Sequence, residues 1–352
     1  MVFKLLLVED VERTRGEFIA SIERYVHESK DGTEFDVVEC SNVREAFDVL
    51  DSTFDGAVVD LKLGDEGGEG NLILERLYQM NLRIPVVVLT GTPDGADDSF
   101  SPIRVLKKGA ATHIEILEDF RKIQASGLTS VMGGRGQFET LLNRVYKDNI
   151  MPAVEVWKGH GSRSSERTER ALMRHTLNHL IQLVDLDQQE CVPDEFYIWP
   201  PVDAELRTGC VVAGKKGGNF VVMNPLCDLT QRADGTFSAN YFLLARVETF
   251  DEVFSKRPAK KKKENLKADL LDKLRANNST QNYHALPKTG FISEGFLNFE
   301  SVISVPKDEF VALFSNPFCQ ISPAFSKDIV SRFSSFLGRQ GQPLVDYSTS
   351  EP

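Results

Sequence analysis

Four apolar runs in the first third of this 352-residue chain each end in a group that can do chemistry. Phe3 to Val8 ends in Glu9-Asp10, Ala57-Val58-Val59 in Asp60, Ile84 to Leu89 in Thr90, and Ile103 to Leu106 in Lys107-Lys108. The runs read as buried parallel strands, and the C-terminal ends of such strands are where open α/β sheets place their chemistry. Acids, a hydroxyl and an ammonium, each closing its own strand, form a phosphoryl-transfer set. Mg2+ prefers oxygen ligands and keeps several waters. Asp10 and Asp60 are the natural direct ligands, Glu9 a ligand through water, and the backbone carbonyl of Lys62 a fourth contact. Without a metal, clustered carboxylates raise one another's pKa. With it, Asp60 stays ionised as a nucleophile and charge on a transferring phosphoryl group is neutralised. A lysine ammonium suits one phosphate oxygen as a point charge, and the Thr90 hydroxyl donates to another.

The elements that must position these groups alternate. After Asp10 a helix runs to about Tyr25, with Phe18, Ile19, Ile22 and Tyr25 at helical spacing. A short strand, Phe35 to Glu39, precedes a helix capped by Ser41 and ending near Leu50. The Asp60 strand, a Gly/Asp/Glu-rich loop from Gly64 to Gly70, a helix from about Asn71 to Met80 and the Thr90 strand follow. This alternation predicts a doubly wound, five-stranded parallel sheet over residues 1–125. Between Thr90 and Ile103 two prolines and the glycines leave no room for a full helix, so a single turn or none is expected. Thr112 to about Ile123 closes the domain.

Glycines at 127, 133, 134 and 136 read as a linker, opening a helical connector over 126–190. It holds helices from Phe138 to Tyr146 and from Ser164 to Val184, the latter with Leu172, Met173, Leu177, Leu180 and Ile181 as an apolar stripe. Residues 191–352 change character: short runs at Phe196–Trp199, Cys210–Ala213, Asn219–Met223 and Tyr241–Val247, split by Pro, Gly and Asn-Pro, predict an α+β domain with a small antiparallel sheet or barrel. A helix from Asn265 to Arg275, strands near Phe291-Ile292 and Phe299–Val305, and a helix from Ala324 to about Leu337 complete it.

The net charge of -11 is uneven. Residues 1–125 hold 25 acids against 14 Lys and Arg, and the remainder holds 27 of each. An acidic first domain argues against broad nucleic-acid binding there, because phosphate backbones need a basic face. No run approaches eighteen apolar residues and the N-terminus has no h-region, so neither a membrane span nor export is expected. Five cysteines without a CxxC read as reduced thiols of a cytoplasmic protein.

Glu9-Asp10, Asp60, Thr90 and Lys107/Lys108, in this order and on these strands, resemble the receiver domain of two-component response regulators over residues 1 to about 125. The resemblance implies that Asp60 is phosphorylated by a partner histidine kinase, that Glu9 and Asp10 bind Mg2+, and that Thr90 and the lysine contact the phosphate. Three departures stand out. The family lysine is followed by proline, whereas Lys107-Lys108-Gly109 offers two candidates, of which Lys108 leaves Val105-Leu106 to fill the strand. Val105 stands where the family has an aromatic switch residue, and the preceding helix is truncated. The last two lie on the face that receivers use for output.

Elsewhere the candidates are thinner. Cys227-Asp228, ending a strand, offers a nucleophile and an orienting acid, with no histidine nearby in sequence. His175 and His179 share a helix face and suit a metal, with no third ligand evident. Lys260 to Lys263 offers a nucleic-acid contact without interleaved aromatics. Phe310, Phe314, Phe318, Phe325, Phe333 and Phe336 read as core or interface. The whole chain loosely resembles receiver proteins of Detocs-type two-component phage-defence operons, in which one receiver protein lacks a toxic effector and drains phosphate from the kinase. That resemblance implies a phosphate sink competing with a second receiver-effector protein. The alternative is a response regulator whose C-terminal domain is the effector, through Cys227/Asp228 or Lys260–Lys263.

Overall fold

A computed structural model describes residues 2–29, 32–64, 67–97, 104–162, 164–185, 190–230, 238–256, 265–277 and 281–339. The chain divides into two compact units, residues 1–188 and 189–352. The first begins with β1 (Val2–Val8), α1 (Glu12–Glu28), β2 (Glu34–Cys40), α2 (Val43–Val49), β3 (Gly56–Val59), α3 (Gly70–Gln79), β4 (Val86–Thr90), β5 (Arg104–Lys107) and α4 (His113–Ala125). All five strands are parallel, in the order β2-β1-β3-β4-β5. That is the flavodoxin-like doubly wound fold.

The sheet is covered on both faces because its strands are apolar on both. Leu6, Val8, Ala57, Val59 and Val88 pack beneath α2 and α3 with Ala46, Ile73, Leu74 and Leu77. The alternate residues Leu5, Leu7, Val58, Val87 and Leu89 pack beneath α1 and α4 with Phe18, Ile22, Ile116, Leu117 and Phe120. A period of two along each strand thus feeds two cores, as strands buried on both faces require. β5 is one edge, opposite β2, and its Val105 is exposed.

Local corrections have local causes. The cap of α2 is Asn42, whose side chain accepts from Glu45 N–H at 2.9 Å; Ser41 instead donates through its backbone N–H and hydroxyl to the Glu45 carboxylate. Between β4 and β5, the described residues form only a 3-10 turn, Pro93–Gly95; residues 98–103, including the expected strand start at Ile103, lie outside the described set.

The glycines after α4 are not an extended linker. A short helix, α5 (Leu128–Met132), sits among them, with Gly127 at φ 83° in the left-handed region. Gly134 passes so near Ser52 that a Cβ would stand 2.6 Å from the serine Cβ. Close approach, not looseness, calls for glycine there. Arg135 pairs with Asp55 at 2.6 Å, and Arg83 pairs with Glu139 and donates to the Met132 carbonyl at 2.6 Å. α6 (Gln137–Val145) leads through a π turn (Tyr146–Ile150) to α7 (Val154–Gly161) and α8 (Ser165–Asp185). Of the expected stripe on α8 only Leu180 is buried, while Met173, Leu177 and Ile181 are exposed.

The second unit is built on a seven-stranded antiparallel sheet. Its strands are β6 (Tyr197–Ile198), β7 (Cys210–Ala213), β8 (Asn219–Val222), β9 (Tyr241–Glu248), β10 (Tyr283–Leu286), β11 (Gly295–Pro306) and β12 (Cys319–Ile321), in the order β10-β11-β9-β8-β7-β12-β6. Its helices are α9 (Leu226–Leu229), α10 (Phe250–Ser255), α11 (Asn265–Arg275), α12 (Lys307–Leu313) and α13 (Pro323–Leu337). Phe291-Ile292 is not a strand; β10 is the strand that pairs with β11. Phe310, Phe314 and Phe333 are buried, and Phe318, Phe325 and Phe336 pack against the core. Among the described residues, no helix is long and apolar enough to cross a membrane.

Candidate functional site

Register brings the acids together. Val8 pairs with Val59 across β1 and β3, so the residues that follow, Glu9 and Asp60, leave the sheet at one level. Asp60 N–H still donates to the Val8 carbonyl at 2.9 Å, and Glu9 N–H to Cys40 at 3.1 Å. The side chains are buried all the same, Glu9 and Asp60 at 3% and 4% exposure, with Asp10 half-buried beside them. One carboxylate oxygen from each of the three lies within 4.8 Å of the others, and among the described residues this is the one group of three or more metal-ligating side chains so placed. An all-oxygen donor set of this kind fits a hard cation such as Mg2+.

Lys108 closes the cluster. Its Nζ stands 2.7 Å from both Asp60 Oδ2 and Glu9 Oε2. Lys108 N–H continues the ladder, donating to the Thr90 carbonyl at 2.8 Å, and the backbone then turns, with Ala110 N–H donating to the Lys107 carbonyl at 2.9 Å. Lys107, opposite Thr90 in the ladder, is exposed. Thr90 is fully buried, and its hydroxyl oxygen accepts from Thr92 N–H at 3.3 Å. Lys62 donates its backbone N–H to Asp60 Oδ1 at 3.2 Å.

Burial, with the neighbouring Asp60 charge, raises the Glu9 pKa above the usual glutamate range even though Lys108 pulls it down. For Lys108, burial opposes the charge, but the hydrogen bonds it donates to two carboxylates, with their charges, outweigh it and raise its pKa.

Two residues in contact with this site read as ordinary in the sequence. Arg15, one turn into α1, donates to the Glu9 carbonyl at 2.7 Å and pairs with Glu39 at 3.2 Å, pinning the Glu9 backbone. Gly70, the first residue of α3, lies against the backbone of Asp60 and Leu61: a Cβ there would meet the Asp60 carbonyl oxygen and stand 2.7 Å from Leu61 Cα. Its N–H donates to Leu61 O at 2.9 Å.

His175 and His179 face each other on α8, Nε2 to Nε2 at 3.2 Å. Cys227 is exposed on the four-residue α9, its Sγ donating to Asp228 at 3.8 Å. Cys40, Cys210 and Cys319 are buried, and burial pushes their thiols up, Cys40 to about 11 and Cys319 to about 12. Lys260 to Lys263 lies outside the described residues.

No protein-family model matches the chain, and no curated protein matches it in sequence. Among solved structures it is similar to response regulators. One is a response regulator from Burkholderia pseudomallei with a phosphorylated aspartic acid, calcium ion and citrate, at 19% identity over 50% of this chain and 97% of the other, with a TM-score of 0.27. A second, from Thermotoga maritima, is 22% identical over 36% of this chain and 99% of its own, TM-score 0.28. A third, TrrA of Thermotoga maritima in complex with Mg(2+)-BeF, is 18% identical over 34% and 98%, TM-score 0.27. The assignment of the first unit's fold stands on its strand order.

Proposed function

We propose that this chain is a phospho-acceptor of a two-component system, taking a phosphoryl group on Asp60 from a partner histidine kinase. The observation that carries the reading is the convergence of Glu9, Asp10 and Asp60 oxygens within 4.8 Å, with the Lys108 ammonium 2.7 Å from two of the three acids. Asp10, Asp60, the Lys62 carbonyl and, through water, Glu9 would hold Mg2+, which would supply charge neutralisation for the transfer. An Asp60 oxygen attacks the phosphorus of the donor phosphohistidine. The P–N bond breaks, its electron pair stays on the imidazole nitrogen, and that nitrogen takes a proton from water. The product is an aspartyl phosphate. Lys108 changes partner from carboxylate to phosphoryl oxygen, and the Thr90 hydroxyl donates to another.

We further read the protein as a phosphate sink that drains the kinase in competition with a second receiver-effector protein, in an antiviral context. Two features support weak output. Val105, at the usual switch position, is exposed, and the described residues between β4 and β5 hold only the Pro93–Gly95 turn where a helix would signal. The test is incubation with Mg2+ and a small acyl phosphate, read by intact mass. The wild type gains one phosphoryl group and Asp60→Ala gains none; an unmodified wild type sinks the acceptor reading. The sink reading fails if Asp60→Ala leaves kinase transfer to a competing receiver unchanged.

A further inference from the structure

α8 carries a second set of metal-ligating groups, independent of the acidic site. His175 and His179 are one turn apart on the same face, as i and i+4 residues are. Their rings stand nearly perpendicular, at 86° with centroids 4.6 Å apart, and present Nε2 to Nε2 at 3.2 Å. Two nitrogens bound about 2.0–2.1 Å from one ion, at roughly 90–110° to each other, are separated by about 2.9–3.4 Å. The observed spacing falls in that window. Both rings are half-buried. The Trp157 ring, on α7, lies 5.3 Å from that of His175.

His179 also lines a groove of about 540 Å3 with Arg144, Asp148 and Asp185. Carboxylates at that position can accept hydrogen bonds from water on a bound ion, the role of outer partners in histidine metal sites. Imidazole nitrogens select late first-row ions such as zinc, nickel and copper, whereas the acidic cluster offers only oxygens.

The geometry points to a two-histidine site on α8 for a late first-row divalent cation, completed by water and separate from the Mg2+ chemistry at Asp60. An ion there stiffens the turn between residues 175 and 179, and its binding stabilises the folded connector by mass action. The alternative use of the same geometry is a plain Nε2–H to Nε2 hydrogen bond, which binds no ion.

The probe is Ni2+, titrated into the full chain in excess Mg2+. The sequence has two tryptophans, Trp157 and Trp199, so a Trp199→Phe background makes Trp157 the reporter of quenching. Calorimetry on the unmodified chain reads the same binding should that background fail to fold. We expect saturable one-to-one binding, weakened at least about tenfold by His175→Gln and by His179→Gln separately, since loss of a direct ligand exceeds the tenfold cost of losing an outer partner. Absence of saturable binding, or affinity retained in either single variant, overturns the site. Phosphorylation of Asp60 is unaffected by the two variants, so failure here is distinct from failure of the acceptor reading.

Discussion

Gly70 and Gly16 are both helical glycines, and replacing each with alanine should move stability in opposite directions. In a helix, alanine is favoured over glycine by about 1 kcal/mol, partly through the unfolded chain. Around Gly16, in α1, nothing lies within 4 Å of an added Cβ, so Gly16→Ala should stabilise the first unit by about 0.5–1 kcal/mol. At Gly70 the same methyl would stand 2.7 Å from Leu61 Cα and closer still to the Asp60 carbonyl oxygen. Ordinary carbon contacts begin near about 3.5 Å, so the start of α3 must retreat from the β3 end by roughly 0.8 Å or more. Neither side of this contact is a side chain that can rotate away. Overpacking of that kind costs about 1–3 kcal/mol, enough to cancel or reverse the helical gain. Urea unfolding followed by far-ultraviolet circular dichroism gives the two signs. The displacement also falls on the residue proposed to take the phosphoryl group, and a misplacement near 1 Å costs on the order of a hundredfold in rate. Acyl-phosphate labelling of Gly70→Ala should therefore be slowed far beyond that of Gly16→Ala. If Gly70→Ala stabilises as Gly16→Ala does, or labels at the wild-type rate, the close approach of α3 to Asp60 does not constrain the site.

Two further outcomes follow from buried titratable groups. Lys108→Ala leaves Glu9 and Asp60 without the cation now 2.7 Å from each. In metal-free buffer it should cost about 1–3 kcal/mol, less than a fully buried pair because Lys108 is partly exposed; Mg2+ should raise the melting temperature of this variant more than that of the wild type, and an equal shift contradicts the shared-cation geometry. His284, 3% exposed with Nδ1 2.9 Å from the Ala285 carbonyl and Nε2 3.2 Å from Asp328, has its pKa lowered, chiefly by burial. Its neutral form is favoured by folding, so its contribution is present above the unfolded value near 6.5 and lost as pH falls toward the folded one. Unfolding of the second unit, followed through Trp199 where it stacks on Phe291, should weaken between about pH 7 and pH 5 more in the wild type than in His284→Asn; equal slopes refute the assignment.

The parallel sheet was legible because burial on both faces leaves uninterrupted apolar runs, and Val86–Thr90 is buried at every position. The acids were legible because each closes such a run. The choice between Lys107 and Lys108 was less so. It depends on the tight turn after β5, closed by the Ala110 N–H to Lys107 carbonyl bond with Gly109 at φ 86°. Gly70 reads as loop punctuation until the backbone it faces is known. The second unit was harder still. β12 is three residues long between Pro317 and Pro323, and its partners β6 and β7 lie about a hundred residues away. Glu248 ends β9 and reads as a solvated strand end. It is 2% exposed, and donors on Lys256, Asn298 and Tyr283 outweigh burial to hold its pKa below the usual range. Asn298 and Tyr283 come from strands some 35 to 50 positions on in sequence.

The charge balance at the strand ends explains why one lysine does not complete the site. Lys108 is shared between two acids, yet the Glu9 pKa stays above its ordinary value, so burial and the Asp60 charge together exceed what half an ammonium offers. Glu248 makes the contrast within the same chain: it too is buried, but it has a lysine to itself and two neutral donors, and its pKa falls. The acidic cluster is therefore short of positive charge, while the Glu248 network is satisfied. A divalent cation at the first would supply the missing positive charge. On the proposed reading the same shortage drives function. Once a cation neutralises the acids, Lys108 is released from holding them and can meet the charge of an incoming phosphoryl group. A cluster already balanced by protein cations would leave the lysine committed and give Mg2+ little reason to bind.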